Sequence, residues 1–169
     1  MPGATSTLGM VTAGAGRPRL RWRSWLVAGL LVLAIAGVAV AAYLAWENSQ
    51  GRSGVCTIAH GCSKVQQSRY GKMIGVPVSV PGLVLYTLLT VAAAAWLADL
   101  RGLRPVILVL AFYGALGGFL FSAYLTYLEA FVIDAWCIYC IASALIMTAL
   151  FLGWSIMLWA GLRSRGDTG

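Results

Sequence analysis

Two of the four cysteines lie in the segment Asp134-Ala135-Trp136-Cys137-Ile138-Tyr139-Cys140, at the start of the last apolar run of the chain. Residues three apart share one face of a helix, so Cys137 and Cys140 could form a disulfide bond or exchange one. Asp134 is predicted as the N-cap, which puts Cys137 in the first turn, where the helix dipole favours a thiolate. The Asp134 carboxylate opposes this effect. The pattern indicates electron transfer between aqueous thiols and a carrier dissolved in lipid.

The other two cysteines, Cys56 and Cys62, lie in a polar, glycine-rich segment. Two structural disulfides are one interpretation, although a Cys-x-x-Cys bridge closes a very short loop and a strained bridge is easily reduced. A zinc site is another, but four-cysteine zinc sites usually use polar knuckles, and one pair here lies in an apolar helix. The Trp-Cys-x-x-Cys pattern is also similar to a thioredoxin active site, but no βαβ pattern surrounds it.

The composition is that of an integral membrane protein. The chain has 169 residues, of which 60% are hydrophobic and only 10% are charged, whereas soluble domains average about 25% charged residues. The net charge of +7 does not indicate nucleic-acid binding, because the basic residues lie at the ends of apolar runs and form no basic face.

Four apolar runs are long enough to cross a bilayer, which takes about 20 residues. The first is too long for a signal peptide and has no cleavage pattern, so it is predicted to be retained. A capping-box pattern at Ser63 and Gln66 predicts a short amphipathic helix that ends near Tyr70. The fold class is therefore an all-α, four-helix membrane bundle with a cap helix. Three segments are predicted: a disordered basic N-terminus (1–24), a membrane domain (25–162) and a tail (163–169). Within the membrane domain, the spans are at about 25–46, 80–100, 106–128 and 136–162, and a redox loop covers 47–79.

The distribution of basic residues predicts the orientation. Eight arginines lie on the side of both termini and four basic residues lie on the other side: Arg17, Arg19, Arg21, Arg23, Arg101, Arg104, Arg163 and Arg165 against Arg52, Lys64, Arg69 and Lys72. The positive-inside rule then places both termini in the cytoplasm. All four cysteines fall on the extracytoplasmic side, which in bacteria is oxidising and permits disulfide chemistry.

These positions predict a two-stage relay. The loop pair, Cys56 and Cys62, would react with a soluble thiol protein and then exchange with Cys137 and Cys140. The final acceptor must be hydrophobic, take two electrons and reside in lipid, and a quinone meets these conditions. Glu129 and Asp134 flank the site and could move protons during quinone reduction, or could simply mark the membrane boundary.

The chain resembles bacterial members of the vitamin K epoxide reductase family. The resemblance covers about residues 25–160 and is carried by the order of the cysteines and by three segments: Cys62-Ser63-Lys64-Val65 running on to Ser68, Gly75-Val76-Pro77-Val78-Ser79-Val80-Pro81-Gly82, and Cys137-Ile138-Tyr139-Cys140. It implies a four-helix bundle around a quinone, capped by a short helix in the first loop.

The resemblance also implies roles for individual residues. Cys137 and Cys140 are similar to the active-site pair, with Cys140 facing the quinone, which would be menaquinone or ubiquinone. Cys62 would exchange with Cys137, and Cys56 with the partner protein. Ser68 and Ser79 match positions at the quinone pocket. Some members carry a fused thioredoxin-like domain, which this sequence lacks, so the expected partner is a separate DsbA-like or thioredoxin-like oxidoreductase.

Two positions depart from the animal enzymes, which have asparagine at Val78 and tyrosine at Ala144. The departures favour plain quinone reduction over epoxide reduction. The DsbB family performs the same chemistry, but there the Cys-x-x-Cys comes early in the chain and the widely spaced pair late. A small transporter or assembly subunit with structural disulfides is the alternative function, although the spans hold few of the polar residues that transport needs.

Overall fold

The structure, a computed structural model, describes residues 18–50, 72–73, 76–98 and 102–166. Cys56, Cys62, Ser68 and the predicted cap helix lie outside these residues, so what the sequence predicts for them stays a prediction.

Four long helices, labelled α1 to α4, form the fold of the described residues. They are α1 (Pro18–Ser49), α2 (Ser79–Leu97), α3 (Arg104–Leu128) and α4 (Ile138–Gly166), and a five-residue π-helix (Glu129–Ile133) continues α3. Each is long and apolar enough to cross a membrane, because a helix of about 20 residues spans the hydrocarbon core. The predicted four-helix membrane bundle is confirmed.

The helix ends differ from the predicted spans by a few residues. α1 includes residues 18–24, which the sequence assigned to the disordered N-terminal segment. Pro18 suits the first position of a helix, where a missing N–H is harmless, and arginine is a good helix former. At the other end of α1, the Ser49 hydroxyl donates to the carbonyl of Trp46 at 2.6 Å, which satisfies one of the last free carbonyls.

A short antiparallel hairpin precedes α2. Its strands are β1 (Lys72–Met73) and β2 (Val76–Pro77), with Lys72 opposite Pro77 and Met73 opposite Val76. The sequence predicted that the cap helix ends near Tyr70, but it did not predict strand pairing after that point. The hairpin leads directly into Val78 and Ser79, at the start of α2.

The helices pack in a ring in which α1 contacts α2 and α4, and α3 contacts α2 and α4. Each helix faces the interior with residues three or four apart, which is the spacing of one helix face. The buried core is formed by Val27, Leu30, Ala34, Ala41, Tyr86, Leu89, Ala93, Trp96, Ala111, Ala115, Met147, Leu150, Trp154 and Met157. Large apolar side chains such as Leu110 and Leu145, each 67% exposed, face outward, as expected for a surface in contact with lipid.

Glycines allow close packing in this core. A Cβ atom on Gly118 of α3 would come within 2.7 Å of Leu85 and Met147, and one on Gly37 of α1 would overlap the ring of Tyr86. In the turn between α2 and α3, Gly102 has a φ of 87°, a conformation that side chains disfavour.

The end of the bundle opposite the Cys-x-x-Cys segment carries arginines held by local contacts. Arg23 donates to the carbonyl of Ala160 at 2.6 Å. Arg104 lies over the ring of Trp96 at 4.8 Å, and Arg163 lies over that of Trp159 at 3.6 Å. Arginine beside an aromatic ring is favourable at a membrane interface.

Candidate active site around Cys137 and Cys140

A corner, made of the π-helix and the non-helical residues 134–137, connects α3 to the cysteine pair. The π-helix ends at Asp134, which adopts the left-handed conformation at φ 48° and ψ 50°. Residues 134–137 are not helical, and α4 begins at Ile138. The carbonyl of Cys137 accepts the N–H of Ile141 at 3.0 Å, which is the bond that an N-cap residue makes. The prediction of Asp134 as N-cap is therefore wrong, and Cys137 itself caps α4.

The two cysteines differ in exposure although they are close together. Both are free thiols; Cys137 is fully buried and Cys140 is partly exposed. Cys137 lies between the spans 104–133 and 138–163. A hydrogen bond from the Cys140 thiol lowers the pKa of Cys137, and this outweighs burial and the charge of Glu129, both of which act to raise it. The lowered pKa favours the thiolate form of Cys137 over the thiol.

Glu129 ties the corner to the cysteines. Its side chain is only 3% exposed, and Oε2 accepts the backbone N–H of Cys137 at 3.2 Å. The carboxylate also hydrogen-bonds with the Cys140 thiol. Its own carbonyl accepts the N–H groups of Asp134 and Ala135, the latter at 3.2 Å. One residue therefore contacts the backbone of the loop and the side chain of Cys140.

An aromatic contact supports the segment from the other side. Tyr139, between the two cysteines, lies against Tyr43 of α1 with ring centroids 5.4 Å apart. Such aromatic pairs contribute about 0.5–1.5 kcal/mol beyond their buried area. The start of α4 is therefore held by α1 as well as by Glu129.

A cavity of about 120 Å³ opens beside Cys140 and Glu129, between all four helices. Its wall is largely apolar, with a few polar groups. The other lining residues are Val40, Ala41, Leu44, Asn48, Val78, Ser79, Gly82, Tyr86, Ser122, Leu125, Thr126, Leu128, Ile133 and Ser143. Apolar walls with a small number of polar groups are typical of small-molecule sites.

The polar groups of the cavity differ in whether they are already bonded. The Tyr86 hydroxyl donates to the Ser143 carbonyl at 2.8 Å and lies 2.9 Å from its Oγ. The Thr126 hydroxyl donates to the Ser122 carbonyl of its own helix at 2.9 Å. The Ser79 hydroxyl is buried and has no hydrogen-bond partner in the described part of the chain. The Ser79 hydroxyl could therefore bond to a molecule in the cavity without giving up a bond inside the described part of the chain.

The size of the cavity fits one aromatic ring. A cavity of roughly 150 Å³ in another protein holds benzene, and this one has about 120 Å³.

The structure brings together Cys137, Cys140 and Ser79 of the predicted site residues, whereas Cys56, Cys62 and Ser68 lie outside the described residues. Val78, which replaces the asparagine of the animal enzymes, lines the cavity, as does Ser143 beside Ala144. Sequence reasoning missed Tyr86. Its spacing of seven from Ser79 could have indicated it, because seven residues span two turns and return to the same helix face.

Comparison with known proteins agrees with this geometry. No curated protein matches the chain. A protein-family model, that of the vitamin K epoxide reductase family, matches residues 28–154. The matched range includes all four cysteines and every residue that lines the cavity, and it confirms the resemblance seen in the sequence. With four membrane-spanning helices and a thiol pair beside a ring-sized cavity, the chain belongs to the vitamin K epoxide reductase family, whose members are membrane oxidoreductases that act on thiols and quinones.

Proposed function

We propose that this protein oxidises a DsbA-like or thioredoxin-like partner outside the cytoplasm and reduces a membrane quinone to quinol, and so supports disulfide bond formation. Electrons would pass from the partner to Cys56 and Cys62, then to Cys137 and Cys140, and finally to menaquinone or ubiquinone. The observation that carries the proposal is the position of Cys140, which lines the cavity and donates a hydrogen bond to the Cys137 sulfur.

The chemistry of the last stage balances with one proton from solvent. The Cys140 thiol loses its proton, the S–S bond forms between the two sulfur atoms, and the electron pair that they give up passes to the quinone. Oxidation of the pair releases two electrons, and the quinone takes these with two protons to become quinol. A lowered pKa at Cys137 favours this reaction, because the thiolate is the nucleophile in thiol–disulfide chemistry.

The predicted location is a bacterial plasma membrane, with both termini in the cytoplasm and the cysteines outside. The arginine contacts at the end of the bundle opposite Cys137 support this orientation, because basic residues are enriched on the cytoplasmic side.

The alternative, a transporter or assembly subunit, has less support. Transport paths usually need polar or charged groups deep in the spans. Among the residues that the structure describes, Glu129 is the one buried charged side chain, and it contacts the cysteine segment.

A reconstituted turnover assay tests the proposal. The protein in lipid vesicles is mixed with a reduced DsbA-like partner and either menaquinone or ubiquinone, and quinol and oxidised partner are measured. We expect Cys137→Ala and Cys140→Ala to abolish quinol formation. Cys56→Ala and Cys62→Ala should abolish partner oxidation, while the chemically reduced variants still reduce quinone once.

The control is Ser155→Ala, since the Ser155 hydroxyl bonds only to the carbonyl of Phe151 on its own helix, at 2.7 Å, away from the cavity. It should turn over like the unmodified protein. Undiminished quinol formation by Cys140→Ala would contradict the proposal.

A further inference from the structure

The proposed exchange between the cysteines does not use one buried ionisable group of the site, the carboxyl group of Glu129. Glu129 is 3% exposed in a span whose other charged residue, Arg104, lies at the far end. A buried carboxylate is costly unless it is hydrogen-bonded, so the position requires either a structural or a chemical explanation.

The contacts of Glu129 place it between the sulfur pair and the cavity. Oε2 accepts the N–H of Cys137 at 3.2 Å, and the carboxylate hydrogen-bonds with the thiol of Cys140. The same side chain lines the cavity beside Cys140 and is the one carboxylic acid among the lining residues that the structure describes. Asp134, the other nearby acid, is exposed.

The electron balance of the proposed reaction requires a proton path at this position. A Cys137 thiolate and a Cys140 thiol, with one quinone and one proton from solvent, give a disulfide and a quinol. The thiol proton of Cys140 must therefore leave its sulfur, and a quinone oxygen must gain a proton, inside a largely apolar cavity. The Glu129 carboxylate lines the cavity with Cys140 and is within hydrogen-bonding reach of its thiol, so it is placed to take this proton.

We propose that the Glu129 carboxyl group is a catalytic residue that accepts the proton of the Cys140 thiol and delivers it to an oxygen of the quinone in the cavity. The inference rests on the proposed function. The carboxylate takes the proton as the S–S bond forms, and it gives the proton up as the electron pair reaches the quinone, so Glu129 ends each cycle ionised. The other titratable groups that line the cavity are Cys140 and Tyr86, and the Tyr86 hydroxyl is bonded to Ser143.

A purely structural role is the competing explanation, because Glu129 also holds the loop before α4. Two of its loop contacts use its backbone carbonyl and survive any substitution. The third uses the side-chain oxygen, which glutamine also provides. Glu129→Gln therefore keeps the acceptor for the N–H of Cys137 and removes only the capacity to take up a proton.

The test separates the two half-reactions of Glu129→Gln in lipid vesicles. In the first, the oxidised protein reacts with a reduced DsbA-like partner in the absence of quinone; in the second, the reduced protein reacts with the quinone that the unmodified protein accepts. We expect partner oxidation within about threefold of the unmodified rate. Quinone reduction should slow about 100-fold, in the range for loss of a general acid–base group.

Two variants extend the test. Glu129→Ala should lose quinone reduction to a similar degree, and formate, which can occupy the space and carry a proton, should restore part of the rate, whereas chloride at equal concentration should not. Ser155→Ala is the control, because the Ser155 hydroxyl bonds to the carbonyl of Phe151 on its own helix and lies away from the cavity; it should leave both half-reactions unchanged.

The outcomes distinguish this inference from the function on which it rests. If the unmodified protein reduces quinone and Glu129→Gln does so at the same rate, the inference is wrong and the function stands. If Glu129→Gln slows both half-reactions equally and formate has no effect, Glu129 is only structural. If the unmodified protein reduces no quinone, the proposed function fails and the inference fails with it.

Discussion

At the scale of single residues, the site depends on how Cys137, Cys140 and Glu129 share hydrogen bonds. The single thiol proton of Cys140 can be donated to the sulfur of Cys137 or to the carboxylate of Glu129, and the N–H of Cys137 donates to that same carboxylate. The pKa of the buried Cys137 sulfur is lowered, and the more exposed Cys140 sulfur lines the cavity. The two thiols differ in pKa and in exposure to the cavity because their surroundings differ.

The lowered pKa of Cys137 can be measured directly. In protein with Cys56 and Cys62 replaced by alanine, the thiolate absorbance of Cys137 is titrated in Cys140→Ser and Cys140→Ala. Because the hydroxyl of serine still donates a hydrogen bond and alanine does not, the midpoint should lie at higher pH in Cys140→Ala. The thiolate fraction at neutral pH should fall accordingly. Equal midpoints would show that the hydrogen bond from residue 140 is not the cause of the shift.

Ser79→Ala tests a buried cavity hydroxyl that has no partner among the described residues. Its Oγ is buried without a partner among the residues described, so removal should not lower thermal stability. If the hydroxyl bonds to a quinone oxygen, its loss should weaken quinone binding about 3- to 10-fold, the effect of a hydrogen bond of about 1 kcal/mol. Quinone affinity of the variant is compared with that of Ser155→Ala. An unchanged affinity would remove Ser79 from the quinone site.

At the scale of elements, the corner between α3 and α4 positions the site. The π-helix Glu129–Ile133 and the left-handed Asp134 turn Glu129 toward the start of α4. A π-helical turn at the end of a helix is rare and is often found at functional sites. On the opposite side, Tyr86 links α2 to Ser143 of α4 below the cavity.

Gly37 allows Tyr86 to reach its place. A Cβ atom on Gly37 would overlap the Tyr86 ring, whereas one on Gly29 of the same helix would meet nothing within 4 Å. We expect Gly37→Ala to destabilise the bundle by about 1–3 kcal/mol through overpacking and to weaken quinone binding by displacing Tyr86. Gly29→Ala should be neutral or slightly stabilising, since alanine favours the helix by up to about 1 kcal/mol. Thermal unfolding in detergent compares the pair; equal stability would contradict the packing described.

The sequence predicted the elements well because the physics of a span is local. Length and hydropathy were sufficient to predict four helices, and the order of the cysteines was sufficient to identify the family. The corner was not predictable, because the π-helix and the conformation of Asp134 depend on how α3 and α4 pack together. For the same reason, the sequence could not distinguish Glu129 at a membrane boundary from Glu129 buried against two cysteines.

At the scale of the whole molecule, the bundle separates two chemically different ends. One carries the cysteine pair, Glu129 and the cavity, and the other carries Arg23, Arg104 and Arg163. The proposed function requires the first end to lie outside the cytoplasm, where a disulfide catalyst works.

Two new cysteines test this orientation in a protein whose four natural cysteines are replaced by alanine. Ser49→Cys lies at the exposed end of α1 beside the cavity, and Leu103→Cys lies at the other end, where the residue is 48% exposed. A membrane-impermeant maleimide added to intact cells should label the first and not the second. The reverse pattern would contradict the orientation.

The central claim, that the Cys137–Cys140 pair passes its electrons to a quinone, is tested most directly by a single turnover. Protein with Cys56 and Cys62 replaced by alanine is fully reduced, placed in vesicles that contain quinone, and stopped at intervals for measurement of disulfide and quinol. We expect one quinol to form for each Cys137–Cys140 disulfide, at the same rate, and neither to form in Cys140→Ser. Quinol formation in Cys140→Ser at the rate of its parent would show that the Cys137–Cys140 pair does not donate the electrons.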